Sequence, residues 1–235
     1  MKYLPVNQSY GLTACLTICL AVRIAWADEV KPVAAEAPLG KPSALFNGKN
    51  LDGWKISKEV DFEDHGKVTV VDGVIILGEG KPATGIVCQR KLPRMNYEIS
   101  LEAKRLEGSD FFCGLTFPVN EQYCSLIVGG WGGGVTGLSN IDSMSAVENE
   151  TTGFTEFDKD KWYRVRLRVT EKRIEAWIDK HSILNVDPTD RKFSIWWEQE
   201  PMRPLGIASW NTKAALRNIQ FTKLGREPEE SKKVK

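Results

Sequence analysis

Histidine is nearly missing from this chain: His65 and His181 are the only two. Neither has a partner at metal-ligand or triad spacing, which argues against a zinc hydrolase and against Ser-His-Asp catalysis. His65 sits in a turn-like Phe62-Glu63-Asp64-His65-Gly66 stretch, and His181 follows Asp179-Lys180 between two short strands. Cysteine is sparse as well: Cys15, Cys19, Cys88, Cys113 and Cys124, with no CxxC pair. That spacing excludes a zinc ribbon and a thioredoxin-like redox motif. An excess of one charge is also lacking, since 32 basic against 31 acidic residues leave +1. So balanced a chain has no electrostatic pull toward nucleic acid or anionic lipid. No extended helical period is visible, and the Gly-rich stretch lacks the Gly-Lys-Ser/Thr ending of a phosphate loop. The one long apolar run, Gly11 to Val22, is too short for a comfortable membrane span.

What is present begins with processing signals. Lys2, the apolar run and Ala25-Trp26-Ala27 form the n-region, h-region and small-x-small site of a secretory signal peptide over residues 1–27. The expected location is therefore exported, periplasmic or extracellular, with no membrane contact after cleavage. Leu12-Thr13-Ala14-Cys15 resembles a lipoprotein box, but the apolar run follows the cysteine instead of preceding it, which argues against lipidation. Removing residues 1–27 takes away Lys2 and Arg23 and no acid, so the formal charge falls by two, from +1 to −1. Three cysteines remain, an odd number for an exported chain. They are expected as buried small apolar residues, at least one of them unpaired within the chain. Residues 28–42, rich in Pro, Ala and charge, read as a flexible linker. Residues 225–235 have almost no apolar content and read as a disordered tail. One domain over residues 43–224 is left.

Within that domain the dominant period is two. Tyr97, Ile99, Leu101 and Ala103 alternate with Glu98, Ser100, Glu102 and Lys104. Tyr163, Val165, Leu167 and Val169 alternate with Arg164, Arg166 and Arg168, and Ile174, Ala176 and Ile178 alternate with Glu175 and Trp177. These are half-buried strands. Further strands are predicted at 68–71, 74–77, 85–90, 111–119, 123–128, 135–138, 205–210 and 216–224. Turns such as Asp72-Gly73, Gly78-Glu79-Gly80 and Glu107-Gly108-Ser109 separate them at short spacing. Many short strands, each with one apolar face, predict an all-β antiparallel sandwich.

Two segments carry a resemblance. The opening, Leu45 to Trp54 (LFNGKNLDGW), and the closing run, Pro204 to Leu224 (PLGIASWNTKAALRNIQFTKL), frame the domain. Between them come Val70 to Ile75 as strand–turn–strand, Asn96 to Leu106, and Lys161 to Asp179. In this order the chain resembles the bacterial 3-keto-disaccharide hydrolase domain family. The resemblance implies a concanavalin-like (laminin-G-like) jelly roll, and export. It also implies hydrolysis, or elimination and hydration, of glycosides already oxidised at carbon 3. A 3-keto group acidifies the proton on carbon 2, so one positioned base can start loss of the glycosidic oxygen. Three segments depart from the family pattern: Phe111 to Phe117 has no Arg, Tyr123 to Val128 replaces an aromatic-led Glu/Gln strand, and Ser209-Trp210-Asn211-Thr212 replaces a His-Gly pair.

Candidate site residues follow from chemistry and spacing. Trp131 is flanked by Gly129, Gly130, Gly132, Gly133 and Gly134. Glycines permit tight turns and close ligand approach, and an indole so presented can stack on the C–H face of a sugar. Trp196 of the Trp196-Trp197-Glu198-Gln199-Glu200 segment, with Trp210 and Asn211, adds aromatic and amide groups for the same cleft. Adjacent tryptophans in a strand point opposite ways, so at least one of Trp196 and Trp197 is expected at the surface. Glu148 and Glu150, if on a strand, share a face about 7 Å apart, and Asp142 lies just upstream. These three are the candidate acids and bases, with a solvated loop as the alternative. Arg164 and Arg166 are candidate electrophilic supports for a keto oxygen, with a cross-strand ion-pair ladder against Glu98, Glu102 and Glu175 as the alternative. Asn149-Glu150-Thr151 is formally a glycosylation sequon.

Three functions therefore stand side by side. One is an exported hydrolase or lyase of 3-keto-glycosides, a second a noncatalytic carbohydrate-binding module, and a third a structural or adhesion domain with its tryptophans in the core. The expected ligand in the first two is an oligosaccharide or glycoside; no metal, cofactor or nucleic acid is expected.

Overall fold

The computed structural model describes residues 40–225. The expected signal peptide, nearly all of the linker and nearly all of the tail lie outside the described residues. Within them run fifteen strands: β1 (Ser43–Ala44), β2 (Trp54–Ile56), β3 (Val68–Val71), β4 (Val74–Leu77), β5 (Ala83–Cys88), β6 (Tyr97–Gly108), β7 (Cys113–Val119), β8 (Gln122–Gly130), β9 (Val135–Ser139), β10 (Gly153–Phe154), β11 (Tyr163–Val169), β12 (Ile174–Ile178), β13 (His181–Val186), β14 (Gly206–Trp210) and β15 (Thr212–Lys223). They form two antiparallel sheets. The eight-stranded sheet runs β13-β12-β11-β6-β15-β4-β3, with β1 added along β15; the seven-stranded sheet runs β10-β9-β8-β7-β14-β5-β2. The all-β sandwich expected from the alternation is what the chain forms.

The period-two pattern decides which side chains meet. Ile99, Leu101, Val165, Leu167 and Leu216 of one sheet join Leu115, Phe117, Leu126, Val128 and Ile207 of the other in a single buried core. Each such side chain contributes about 1.5–3 kcal/mol when fully buried. Tyr97 crosses between layers, its O–H donating to the Pro118 carbonyl at 2.5 Å. Cys88, Cys113 and Cys124 are all free thiols in this interior. Burial pushes the Cys113 thiol up to about 12, so it is an inert apolar group at neutral pH.

The family-like opening is a structural clasp. The Trp54 indole N–H donates to the Leu45 carbonyl at 3.0 Å. Between them, Asn47 Oδ1 accepts from the Lys49 and Asn50 N–H groups, and Asn50 Oδ1 accepts from the Asp52 N–H. These side-chain turns close the loop that carries the chain from β1 to β2. At the far end, Asn218 at φ +53 marks the point where the β15–β6 register shifts, and Leu45 N–H bonds the next carbonyl, Ile219 O, at 2.9 Å.

The Arg stripe of β11 lies on the outer face of the eight-stranded sheet, opposite to the core-facing Val165 and Leu167, with Arg164 exposed, Arg166 half-buried and Arg168 buried. Arg168 is paired with Glu98 (2.9 Å), and Arg166 reaches the same carboxylate at 3.7 Å while lying 4.3 Å from the Trp177 ring centroid. Arg217 of β15 pairs with Glu102. Of the cross-strand ladder that the sequence offered as one of two uses of the β11 arginines, the contacts of Arg166 and Arg168 with Glu98 are formed, while Glu102 pairs with Arg217 instead.

Candidate functional site

A second apolar cluster lies on the other side of the seven-stranded sheet. Ile127 and Ala208 alternate with core residues Leu126 and Ile207, so they point away from the core. Phe62, Phe111, Ala146 and Met202 cover them, and Val135 and Trp210 pack at the margin. The cover is incomplete, and a cleft of about 280 Å³ remains open on this face.

The cleft draws its lining from three parts of the chain. The sheet face contributes Phe111, Ile127 and Trp210; the turn after β8 contributes Trp131; a 3-10 segment, Trp197–Met202, and the residue before it contribute Trp196, Glu198 and Gln199. Asp110 completes the lining. Phe111 and Trp210 tilt together at 6.1 Å between centroids. Trp131 and Trp196 are 45% and 44% exposed, high for indoles and characteristic of a binding surface.

Glycine places Trp131. Gly129 has φ +79, and a Cβ there would lie 2.6 Å from Arg105 Nη2 and 2.9 Å from the Phe112 ring. Only glycine fits that point. The same Arg105 Nη2 donates to the carbonyls of Asp110 (3.2 Å), Gly129 (3.0 Å) and Gly133 (2.8 Å), while its guanidinium lies over the Phe112 ring at 5.1 Å. One buried guanidinium thus ties both sides of the turn to the strand beneath. Trp131, itself at φ +46, donates its N–H to Asp110 Oδ1 at 3.2 Å.

Asp110 is the most constrained acid on this face. Its Oδ1 also accepts the Phe111 N–H at 2.7 Å. Its own N–H donates to Thr212 Oγ1 (3.0 Å), and the Thr212 hydroxyl bonds the Asp110 carbonyl at 3.1 Å. Burial pushes its carboxyl above the usual aspartate range, against the pull of the two N–H groups and of Arg105. Across the lining, Gln199 is only 4% exposed, yet its Oε1 has no hydrogen-bond partner, and Glu198 Oε2 is likewise buried and unpartnered. Such atoms are costly unless something in the cleft satisfies them.

Three of the four tryptophan and amide positions singled out from sequence, Trp131, Trp196 and Trp210, are brought together here. Asn211 is not; it sits exposed in the turn between β14 and β15 at φ +41. Trp197 is 62% exposed beside the cleft lining, so both adjacent tryptophans reach the surface. They do so from the start of a 3-10 segment, Trp196 as the residue before it and Trp197 as its first, and not from a strand.

The expected acids do not line the cleft. Glu148 and Glu150 lie in a turn, so the shared strand face expected for them does not exist. Glu148 Oε2 instead accepts from the Ser145 N–H (3.1 Å) and hydroxyl (2.6 Å), which hold its carboxyl below the usual glutamate range. Asp142 and Glu150 both clamp Arg191, at 2.7 and 2.5 Å, fastening this loop to the segment before Phe193. Arg164 and Arg166 stand on the far side of the sandwich, with the whole core between them and the cleft.

The sequon asparagine is a structural hub. Asn149 Nδ2 donates to the carbonyls of Leu138 (2.8 Å), Met144 (3.0 Å) and Ser145 (2.7 Å), and Oδ1 accepts the Thr151 N–H (2.9 Å) and hydroxyl (2.6 Å). In the folded chain this amide is buried and committed. Asn149→Ala is expected to destabilise the domain by about 2–3 kcal/mol, since several buried partners lose their bond at once. Urea unfolding would show a lower midpoint at unchanged slope. An unshifted midpoint would mean the hub carries no net stability.

Asp110, Phe111 and the acidic part of the 3-10 segment were not legible as a site beforehand. Ser109-Asp110 reads as a turn former, and nothing in its spacing announces the Trp131 contact. Among the described residues no group of three or more His, Cys, Asp or Glu is arranged to hold a metal ion, and no helix is long and apolar enough to cross a membrane.

A family model described as a 3-keto-alpha-glucoside-1,2-lyase-like domain matches residues 41–222. This bears out the family resemblance carried by the opening and closing motifs. No curated protein sequence gives a match. Among solved structures, a Bacillus subtilis protein of unknown function with a galectin-like fold aligns at TM-score 0.56 and 12% identity, over 83% of this chain and 100% of that one. Domain 4 of AbnA, an extracellular arabinanase from Geobacillus stearothermophilus solved with arabinotriose, aligns at 0.52 and 16%, over 80% and 94%. A Crh5 transglycosylase solved with NAG aligns at 0.50 and 10%, over 82% and 87%. At these identities the likeness is one of fold.

Proposed function

The chain belongs to the 3-keto-alpha-glucoside-1,2-lyase-like domain family, and on that premise we propose that it is an exported protein that holds a 3-keto-glycoside in the tryptophan cleft and abstracts the proton on carbon 2. One observation carries the proposal: Trp131, Trp196 and Trp210 meet in one cleft with a constrained carboxylate, Asp110. Flat apolar walls and a few convergent polar groups are what a sugar ring requires. The fold also supports it, because similar sandwiches were solved with arabinotriose and with NAG.

The chemistry follows from the placement. Asp110 is oriented by two backbone N–H bonds to Oδ1 and has a raised proton affinity, which suits a base that must take a carbon proton. The C2–H electron pair moves into an enolate with the 3-keto oxygen, and the proton goes to Asp110. The enolate then re-forms the ketone as the C1–O bond to the glycosidic oxygen breaks, leaving a C1–C2 double bond. The departing oxygen recovers the proton from Asp110, and water adds to the double bond in a later step. The Gln199 amide also lines this cleft, its Oε1 without a hydrogen-bond partner and therefore free to accept from a sugar hydroxyl.

Trp131→Ala and Trp210→Ala test the ligand wall. Each is expected to weaken binding of a 3-keto-disaccharide by about five- to tenfold, the range for one aromatic platform. Titration followed by intrinsic fluorescence reads the affinity, and release of the free sugar reads turnover. Saturable binding without turnover would make the domain a binding module. Neither binding nor turnover would remove the sugar assignment.

A further inference from the structure

The cleft carries negative charge that nothing on its surface answers. Asp110 and Glu198 both line it, and no Lys, Arg or His does. The Asp110 side is partly balanced from within, because the Arg105 guanidinium bonds the Asp110 carbonyl. The Glu198 side is not: Glu198 lines the cleft, its Oε2 has no hydrogen-bond partner, and the Oε1 of the almost fully buried Gln199, also in the lining, has none either. Apart from Ile127 and Gln199, the remaining walls are the aromatic rings of Phe111, Trp131, Trp196 and Trp210, whose faces are electron-rich at their centres. Aromatic faces closed by a carboxylate attract an organic cation, and the attraction grows as water is excluded.

Resting on the glycoside assignment above, we infer that this cleft is selective for glycosides bearing a protonated amine, seated between the indoles of Trp131 and Trp196 and the Glu198 carboxylate, and rejects acidic sugars. A glycosyl ammonium pairs with the Glu198 carboxylate, which lines the cleft, and presents its positive charge to the tryptophan rings. A uronate instead brings a third carboxylate into a cleft that offers it no cation.

Matched disaccharides of glucosamine, N-acetylglucosamine and glucuronate, titrated against the full chain, separate the possibilities. The glucosamine form is expected to bind about tenfold tighter than its N-acetyl counterpart, and the glucuronate form more weakly than either. Raising the salt concentration should narrow the gap. In Glu198→Gln the amine-to-amide affinity ratio should fall to about one. Equal affinity for amine and amide forms, or a preference that survives Glu198→Gln, overturns the inference. If that happens while a neutral 3-keto-disaccharide is still turned over, the proposed function stands alone. If no sugar binds and none is turned over, both fall.

Discussion

Replacing Asp110 with Asn is expected to lower turnover of a 3-keto-disaccharide by roughly 10²- to 10⁴-fold, the usual contribution of a positioned base. The substitution is conservative in shape. An amide oxygen can still accept from the Phe111 and Trp131 N–H groups, and the backbone of residue 110 keeps its two bonds with Thr212. Affinity is therefore expected to change much less than turnover, which separates a chemical role from a positional one.

Stability should move the other way. Burial raises the Asp110 pKa in the folded chain above its unfolded value, so the folded state binds more protons between the two. By linkage, stability falls as pH rises through that window and stays lowered above it. Asn carries no such cost. Asp110→Asn should thus be at least as resistant to urea at neutral pH as the parent, and the gap should close as pH drops below the ordinary aspartate range. The acid limb of the parent's rate profile should also lie above that range. Unchanged turnover in Asp110→Asn would take the base role away from this residue.

Arg105→Met is expected to cost about 3–5 kcal/mol of stability, the range for breaking a buried, hydrogen-bonded cationic centre. The carbonyls of Asp110, Gly129 and Gly133 would all lose their donor. Methionine replaces the stem but neither the donors nor the guanidinium that lies over the Phe112 ring. The damage should concentrate where the carbonyls are. Amide exchange is expected to quicken in the 129–134 turn more than in β6, and Trp131 fluorescence should become more open to acrylamide. Arg105→Lys keeps the charge and three donors, but its shorter side chain lacks the planar guanidinium that lies over the Phe112 ring, so it should restore only part of the loss. Equal exchange rates in turn and strand would mean that the guanidinium supports the sandwich generally and not this turn.

Much of the architecture was visible as alternation. Tyr97, Ile99 and Leu101 against Glu98, Ser100 and Glu102 placed β6 and its faces, because period two survives any tertiary context that buries one side. The two-residue strands β1 and β10 were invisible, since two residues carry no period. The tryptophan cleft was legible in part, as large aromatics on glycine turns and loops have few other uses. Asp110 was not, because its role depends on a bond to a turn 21 residues away. The carboxylates of Glu148 and Glu150 misled through an assumed strand. Ser145-Ala146-Val147-Glu148 held the contrary signal: Ser followed three residues later by Glu is the mark of a capped turn, in which the Glu carboxylate accepts the Ser backbone N–H, and the Ser145 N–H donates to Glu148 Oε2. For Arg164 and Arg166, alternation fixed which side of their strand they occupy. It could not say which outer face of the sandwich would carry the cleft.

Thr212 opens the long closing strand of one sheet, yet its hydroxyl grips the acid that lines a hollow on the other. A ligand held there would consequently be coupled, through these two bonds, to the seam where the two layers meet. A molecule lodged beside Asp110 acts as a rivet, resisting slippage of one layer over its neighbour, and its grip registers as heat resistance of the entire body and not of one rim.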